Sequence, residues 1–207
     1  MKIITISREF GSGGRELGKR MADVLGFAYY DREIIAAIAK KNDMDENYVA
    51  HALENNVWEQ IPLTFRSTFA GETFWQGTQT NLLVEQRKVI EEIAKQGKDC
   101  IIVGRNADVI LEEYEPFKIF VCSDMGAKIQ RCIERAKEGE DISPKTLEKN
   151  IKRVDKGRAQ TREIVTGQKW GRANGYNMTV NTASWNLKEL APVVAEFALK
   201  WFDRKDK

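Results

Sequence analysis

The chain has 207 residues and 42% apolar content, enough for one substantial core, and nothing in this length demands a second independent domain. Its 33 basic and 31 acidic side chains leave a net charge of only +2, which argues against nucleic acid or an acidic membrane surface as a partner. Any anion site must therefore be built locally, and we expect a single domain over residues 1–207.

The first predicted elements are a strand, a glycine-rich turn and a helix. An apolar run at residues 3–6 predicts the strand, and the turn Gly11-Ser12-Gly13-Gly14 follows it. A helix is predicted over 14–25, because apolar residues recur there at three- and four-residue spacing and Gly26 supplies a stop signal. The order strand, glycine turn, helix is the feature that bears most directly on function.

A second strand is predicted at 27–30, a helix follows Asp31 as its N-cap, and a third helix is predicted at 43–55. The segment 56–77 breaks this regular pattern, because its aromatic residues are scattered among polar residues and glycines. It is too aromatic for a disordered linker and too irregular for a regular element, so we interpret it as an insertion that packs over a site. A substrate lid and a contact in a homo-oligomer are the two alternatives for it.

The remainder of the chain alternates strands with amphipathic helices. Strands are predicted at 100–103, 118–122 and 178–180, and helices at 81–95, 125–137, 143–164 and 187–202. Such alternation is typical of crossover units around a buried sheet of mostly parallel strands. The predicted fold class is therefore α/β, with a parallel five-stranded sheet flanked by helices.

The glycine turn has the features of a phosphate site. Backbone N–H groups of such a turn converge on one point, and the first helix adds the positive end of its dipole, so a polyanion can bind there without any side chain. A tight turn that needs glycine only for its backbone angles is the alternative interpretation.

Four sequence blocks, in the same order, resemble the cytidylate kinase-like family of P-loop kinases. They are SREFGSGGRE at 7–16, YYDREII at 29–35, IIVGR at 101–105, and WG, YN and NT at 170–171, 176–177 and 181–182. The resemblance covers nearly the whole chain. It implies a fold of the P-loop NTPase type and phosphoryl transfer from ATP, with Mg²⁺, to a small acceptor such as a nucleoside monophosphate.

The first block departs from the phosphate-loop pattern. When the first helix is aligned on its apolar residues, Gly14 stands where a phosphate-loop kinase has its lysine, and Glu16 stands where it has the Ser or Thr that binds Mg²⁺. Arg15 is a candidate for the missing charge, and the Glu16 carboxylate is a candidate ligand of Mg²⁺. An ordinary solvated first helical turn is the alternative for both residues. The predicted nucleotide-binding set is thus Gly11, Ser12, Gly13, Gly14, Arg15 and Glu16.

The acceptor is predicted to lie at the carboxyl edge of the sheet. Asp31 and Arg32 follow the second strand, and Arg105 follows the third, where open α/β sheets place their ligands. The resemblance implies that Asp31 and Arg32 help to hold the acceptor, and the fork of Arg105 suits an acceptor phosphate. Capping of the next helix by Asp31 and a structural salt bridge for Arg105 are the alternatives.

The charged region 125–166 is predicted to be a helical lid. The resemblance implies that lid arginines close over the transferred phosphate and neutralise its charge, and Arg153 and Arg158 are the candidates. With Arg15 and Arg105 they complete the predicted catalytic set. Many charges of this region are interleaved with glutamates and indicate a solvated helix face instead.

The cysteines and the absence of long apolar runs suggest the compartment. Cys100, Cys122 and Cys132 are an odd number without paired metal-ligand spacing, which is typical of reduced thiols. No apolar leader precedes the first strand, and no apolar run approaches the ~20 residues that span a bilayer. We expect a cytoplasmic kinase that binds a nucleotide and a small phosphate acceptor. A regulatory nucleotide-binding module that has lost phosphoryl transfer is the alternative, favoured by the missing lysine.

Overall fold

A five-stranded parallel sheet lies at the centre of the computed structural model, which describes residues 1–54, 71–136 and 142–205. Its strands are β1 (Ile3–Arg8), β2 (Ala28–Tyr30), β3 (Cys100–Val103), β4 (Phe117–Cys122) and β5 (Met178–Asn181). The strand order is β2-β3-β1-β4-β5, and all four pairings are parallel. The predicted fold class is confirmed.

The helices flank the sheet, and all but α5 were predicted. They are α1 (Gly14–Leu25), α2 (Arg32–Asn42), α3 (Glu46–Glu54), α4 (Gly71–Lys95), α5 (Ala107–Ile110), α6 (Met125–Glu134), α7 (Pro144–Thr166) and α8 (Leu187–Lys205). Short 3-10 helices occur at Glu112–Tyr114 and Ala173–Gly175. None of the helices in the described ranges is both long and apolar enough to cross a membrane.

Helix α4 begins ten residues before the predicted start at residue 81. The prediction of irregular structure over 56–77 is therefore wrong for its last seven residues, and residues 56–70 lie outside the described part of the chain. Once a helix is nucleated, each further residue adds one hydrogen bond at low cost, so the amphipathic part of α4 extends into a segment of weak helix formers. The lid prediction over 125–166 falls on α6 and α7, with 137–141 not described.

Two apolar clusters cover the two faces of the sheet. Side chains alternate along β1, so Ile3 packs in the cluster with α2, α3 and α4, whereas Ile4 and Ile6 pack in the cluster with α1 and α8. Both faces of a parallel sheet are thus buried, as such sheets require. The carboxyl ends of β1, β3 and β4 meet at one edge, and the loops that follow them build the site.

Candidate functional site

The glycine loop lies between β1 and α1 and adopts a conformation that only glycine accommodates easily. Gly11 and Gly13 have φ angles of 74° and 80°. A Cβ on Gly11 would lie 3.0 Å from the Lys128 carbonyl oxygen, and one on Gly13 would lie 2.7 Å from Leu187 Cδ1. Both glycines are therefore required by the backbone angle and by close packing. The predicted strand, turn and helix are present in this order.

The loop is anchored from below to the end of β5. Ser12 is fully buried, and its Oγ donates to the Glu9 carbonyl at 2.8 Å. Thr182 Oγ1 donates to the Ser12 carbonyl at 2.6 Å. Arg131 on α6 in turn donates to Thr182 Oγ1 at 3.2 Å and to its carbonyl at 2.6 Å. The shape of the loop thus depends on side chains distant in sequence.

A second set of contacts joins the loop to α6 and α7. Lys128 is buried, and its Nζ lies 2.6 Å from Glu9 Oε2 and 3.5 Å from Asp155 Oδ2. The backbone N–H of Phe10 donates to Asp155 Oδ1 at 2.7 Å. Burial raises the pKa of the Asp155 carboxyl, and the Phe10 N–H and Lys128 oppose that rise. The helical pair is therefore held against the glycine loop by charge-assisted contacts.

A cavity of about 520 Å³ lies between the glycine loop and the α6–α7 pair. This volume is in the range of small-molecule and cofactor sites. Loop residues Gly11, Gly13, Gly14 and Arg15 form one wall. The opposite wall carries the side chains of Arg131, Arg135, Thr146, Asn150 and Arg158. We call this space the loop cavity.

A smaller cavity of about 50 Å³ lies where β1 and β3 end. Its lining is polar and basic, with Ser7, Arg8, Gln86, Arg105, Asn106, Arg158 and Trp170 among the side chains. We call it the edge cavity. Arg8 and Arg158 line both cavities, so these two side chains stand where the cavities adjoin. Arg158 Nη1 also donates to the Arg8 carbonyl at 3.0 Å.

Asp31 is the buried carboxylate that the arginines of this edge share. Its Oδ2 lies 2.7 Å from Arg15 Nε and its Oδ1 lies 3.7 Å from Arg8 Nη2. The Asp31 side chain makes no capping hydrogen bond to α2, so capping does not account for it. Burial lowers the pKa of the Arg8 guanidinium well below its ordinary value, and nearby arginines add to this effect while Asp31 opposes it. Arg8 thus lies among three other arginines, with Asp31 as its own counter-charge and Asp155 3.6 Å from Arg158.

Arg105 is held in place by an unusual backbone. Arg105 and Asn106 have φ angles of 60° and 54°, in the left-handed region that costs energy for residues with a Cβ. Gln86 is buried and its Nε2 donates to the Arg105 carbonyl at 3.2 Å. Strain of this kind persists only where surrounding structure enforces it, and it is concentrated at functional sites.

The predicted site residues divide into two groups. The structure brings together those at the two cavities, which are Gly11, Gly13, Gly14, Arg15, Arg105 and Arg158, with Asp31 beside them. It does not bring Arg32 and Arg153 to either cavity, and both side chains are exposed. Ser12 supports the loop from beneath without lining the cavity.

Glu16, predicted to bind Mg²⁺, has both carboxylate oxygens engaged by arginines. Arg20 Nε lies 2.8 Å from Oε1, and Arg135 Nη2 pairs with Oε2. Across residues 1–54, 71–136 and 142–205, no group of three or more His, Cys, Asp or Glu side chains is arranged to hold a metal. This arrangement does not fit a resident Mg²⁺, because Glu16 would first have to release an arginine.

Sequence reasoning assigned no role to Arg8, and within the predicted lid it chose Arg153 and Arg158 rather than Arg131 and Arg135, which line the loop cavity. The sequence did contain a signal for Arg8. If Gly13 is the second glycine of the phosphate-loop pattern G-x-x-x-x-G-K, Arg8 occupies the position of the first glycine, five residues earlier. Trp170 and Tyr176 were left without an assigned role. Both pack on Phe120, with ring centroids 5.3 and 5.0 Å away, and Trp170 also lines the edge cavity.

The fold and the arrangement of its loops define an α/β kinase-like protein of the P-loop NTPase type. The sequence profile of the cytidylate kinase-like family matches residues 3–184, and the chain therefore belongs to the cytidylate kinase-like family. Its fold is that of nucleotide-binding phosphotransferases.

Solved structures share this fold over nearly the whole chain. An uncharacterized protein from Eubacterium ventriosum ATCC 27560 matches with a TM-score of 0.68 at 23% identity, covering 96% of this chain and 98% of that one. Shikimate kinase from Bacteroides thetaiotaomicron matches with a TM-score of 0.56 at 15% identity, covering 95% of this chain and 97% of that one. Shikimate kinase from Acinetobacter baumannii, in complex with shikimate, matches with a TM-score of 0.51 at 13% identity, covering 97% of this chain and 94% of that one. A comparison with curated proteins gives no match.

Proposed function

We propose that the protein is a phosphotransferase that moves the terminal phosphoryl group of ATP to a small acceptor such as a nucleoside monophosphate. One observation carries this proposal: a nucleotide-sized cavity at the glycine loop adjoins a small basic cavity at the carboxyl edge of the sheet, and Arg8 and Arg158 line both. Donor and acceptor in such an arrangement meet at these two arginines.

The loop cavity is the proposed donor site. The Gly11–Gly13 backbone and the start of α1 offer N–H groups and the positive end of a helix dipole to the phosphates, with Ser12 fixing the loop. Arg15 lines the same space and adds a charge. Arg131 and Arg135 on the opposite wall extend this basic lining toward the rest of the nucleotide.

The edge cavity, at about 50 Å³, is the proposed site of the acceptor's phosphate group. Arg105 lines it from the strained turn after β3, and its planar fork suits an acceptor phosphate. Asp31, which pairs with Arg8, also orients Arg15 in the wall of the loop cavity through the 2.7 Å ion pair. Arg32 and Arg153 complete the proposed substrate-binding and catalytic residues, and because both are exposed, their roles require a closed arrangement of the site.

The proposed reaction needs no general base when the acceptor is a phosphate. An acceptor oxygen forms a bond to the γ-phosphorus, the bond from that phosphorus to the bridging oxygen breaks, and ADP leaves with the electron pair. Catalysis of this kind is mostly positioning and neutralisation of charge, which arginines at the meeting point of the cavities provide. Mg²⁺ supplies further charge neutralisation in such reactions, and it enters with ATP rather than from a prepared site.

The direct test is incubation with ATP, Mg²⁺ and a panel of nucleoside monophosphates, with chromatographic detection of ADP and of nucleoside diphosphate. Cytidine monophosphate is the first acceptor to test because of the family, and shikimate serves as a phosphate-free acceptor. We expect product with a monophosphate and loss of turnover in Arg105→Gln, whereas Arg87→Gln, an exposed change on α4, keeps wild-type activity. No nucleotide binding to the wild-type chain would refute the proposal.

A regulatory nucleotide-binding module is the second candidate. It is favoured by position 14, where a Cβ would lie 2.6 Å from Arg8 Cβ, so the usual lysine has no room. The same assay separates the two functions. Tight nucleotide binding, seen as protection against thermal unfolding, without turnover of any acceptor supports the module. In either role we place the protein in the cytoplasm, with small molecules rather than nucleic acid or membranes as its partners.

A further inference from the structure

We infer that Arg8 supplies the cation that a phosphate loop normally takes from its lysine, and that Arg8 and Arg158 together hold the phosphoryl group in transit between the two cavities. This inference rests on the proposed function. It assigns a catalytic role to a residue at the end of β1, outside the predicted site.

Two departures from the phosphate-loop pattern are reciprocal. With Gly13 as the second glycine of G-x-x-x-x-G-K, the first glycine is replaced by Arg8 and the lysine by Gly14. A Cβ on Gly14 would lie 2.6 Å from Arg8 Cβ and 3.1 Å from Arg8 Cγ. The two positions therefore cannot both carry long side chains. The positive charge has moved from the helix to the strand rather than disappeared.

The Arg8 guanidinium is held rigidly at the meeting point of the cavities. Its side chain is only 8% exposed and lies over Gly104, where an added Cβ would be 1.7 Å from Arg8 Nη1. Gly104 has a φ of 78°, so the turn after β3 needs glycine for its angle as well as for this contact. Arg15, by comparison, is 43% exposed and extends to Asp31 from outside. A buried, packed cation is preorganised for a developing charge.

The charges at this point suit an anion. Arg8 lies near the positive charges of Arg158, Arg105 and Arg15, with Asp31 as its ion-pair partner and with Asp155 3.6 Å from Arg158. An oxyanion between Arg8 and Arg158 would be attracted by both guanidinium groups in a largely buried position. A tetrahedral phosphoryl group carries several negative oxygens, and guanidinium groups bind such oxygens well.

The test compares Arg8→Met, which keeps length but not charge, with Arg8→Lys and with the surface control Arg87→Gln. We expect Arg8→Met to lower kcat on the order of 100-fold or more, as loss of one transition-state donor does, with little change in the KM for ATP. Arg8→Lys should recover part of this loss of kcat. The control Arg87→Gln should keep the kcat of the wild type. A purely structural role would instead lower thermal stability without a selective effect on kcat.

The double variant Arg8→Gly/Gly14→Lys adds a second, independent measurement. It restores the usual pattern and removes the collision at position 14, so we expect it to be at least about 10-fold more active than Arg8→Gly alone. This comparison still decides the matter if Arg8→Met fails to fold. A wild type that binds nucleotide without turnover of any acceptor overturns the proposed phosphoryl transfer and this inference with it.

The failures are distinguishable. A wild-type chain that binds no nucleotide overturns the proposed function and this inference with it. A wild type that transfers phosphate, with folded Arg8→Met within about twofold of it and no gain in the double variant, overturns only the role of Arg8 and leaves the proposed function standing.

Discussion

Arg162 and Asp108 form a buried ion pair that joins the end of α7 to the segment after β3. Arg162 Nη1 lies 2.7 and 2.6 Å from the two carboxylate oxygens of Asp108, and the residues are 1% and 2% exposed. Asp108 lies on α5, three residues after Arg105. The pair therefore fixes α7, which carries Arg158, relative to the turn that carries Arg105.

We expect Asp108→Asn to lower the free energy of unfolding by about 3–5 kcal/mol, because it leaves the Arg162 charge buried without its counter-charge. Urea denaturation measures this loss. Asp23→Asn is the matched control, since Asp23 pairs with Lys19 on the exposed face of α1 and should cost less than about 1 kcal/mol. The double change Asp108→Leu/Arg162→Met should regain much of the stability. Equal effects of Asp108→Asn and Asp23→Asn would contradict this account.

Cys100 provides a test of burial at the sheet. All three cysteines are free, and burial raises the pKa of the Cys100 thiol to about 12, with a smaller contribution from Asp99. At pH 8 we expect a thiol reagent that needs the thiolate to label Cys100 only after unfolding, and the partly buried Cys122 and Cys132 earlier. Cys100→Ser should abolish the slowly labelled thiol and leave the labelling rates of Cys122 and Cys132 unchanged.

The same shift predicts a dependence of stability on pH. The folded pKa of Cys100 lies above the value of ~8.5 for an unfolded thiol, so the native state binds more protons between these values. The stability that this thiol contributes is present below pH ~8.5 and is lost as pH rises toward the folded value, by at most about 1.4 kcal/mol per pH unit. Wild type should therefore lose more stability than Cys100→Ser between pH 8.5 and 10, and parallel curves would rule this out.

The fold could be predicted from the sequence because its signals are local. Apolar runs and helical spacing predicted β3 and α1 with the observed bounds. The strand order was beyond reach, because it depends on how crossover units pack and not on any one segment. Helix α5 is four residues long and follows two residues with positive φ, so it has no periodic signal. The early start of α4 was missed because propagation from a neighbouring segment overrode local propensity.

The candidate site was predictable only in part. The glycine loop and Arg105 were found because glycine spacing and position after a strand are readable in the sequence. The ion pair between Asp31 and Arg15 was not, since it joins side chains sixteen positions apart at the 2.7 Å observed here. The lid register was also uncertain, and of the two predicted arginines only Arg158 reaches the cavities. Which side chains pair and which reach the cavities depends on contacts between residues distant in sequence, and the periodicity of the sequence does not encode such contacts.

Thr182 offers a test of how the glycine loop is supported. Its hydroxyl donates to the Ser12 carbonyl at 2.6 Å and accepts from Arg131 at 3.2 Å. Thr182→Val keeps the shape but removes the donor to the buried Ser12 carbonyl, whereas Arg131 keeps its bonds to Ser123 Oγ and to the carbonyl of residue 182. We therefore expect a loss of about 1–3 kcal/mol in urea denaturation and weaker nucleotide binding. Thr182→Ser retains the hydroxyl and should bind nucleotide nearly as the wild type does. Equal nucleotide affinity in the valine and serine variants would count against this support.

Variants of Glu16 distinguish the two roles that the sequence left open for it, a residue of an ordinary helical turn and a ligand of Mg²⁺. Its carboxylate pairs with Arg20 at 2.8 Å and with Arg135, which links α1 to the end of α6. If these ion pairs are its main role, Glu16→Gln loses both of them and Arg135→Gln loses one, and neither change removes a ligand of Mg²⁺. Both pairs are partly exposed, so each change should cost less than about 1 kcal/mol of stability. Both variants should also leave the Mg²⁺ dependence of nucleotide binding unchanged.

A role of Glu16 in binding Mg²⁺ gives the opposite pattern. Glu16→Gln would then weaken binding of the Mg²⁺ nucleotide complex without affecting the metal-free nucleotide, whereas Arg135→Gln would free the carboxylate and keep or strengthen Mg²⁺ binding. Titrations of each variant with nucleotide, with and without Mg²⁺, distinguish these patterns. Because both Glu16 oxygens are occupied by guanidinium groups in this structure, we expect the first pattern, in which neither variant changes the Mg²⁺ dependence of nucleotide binding.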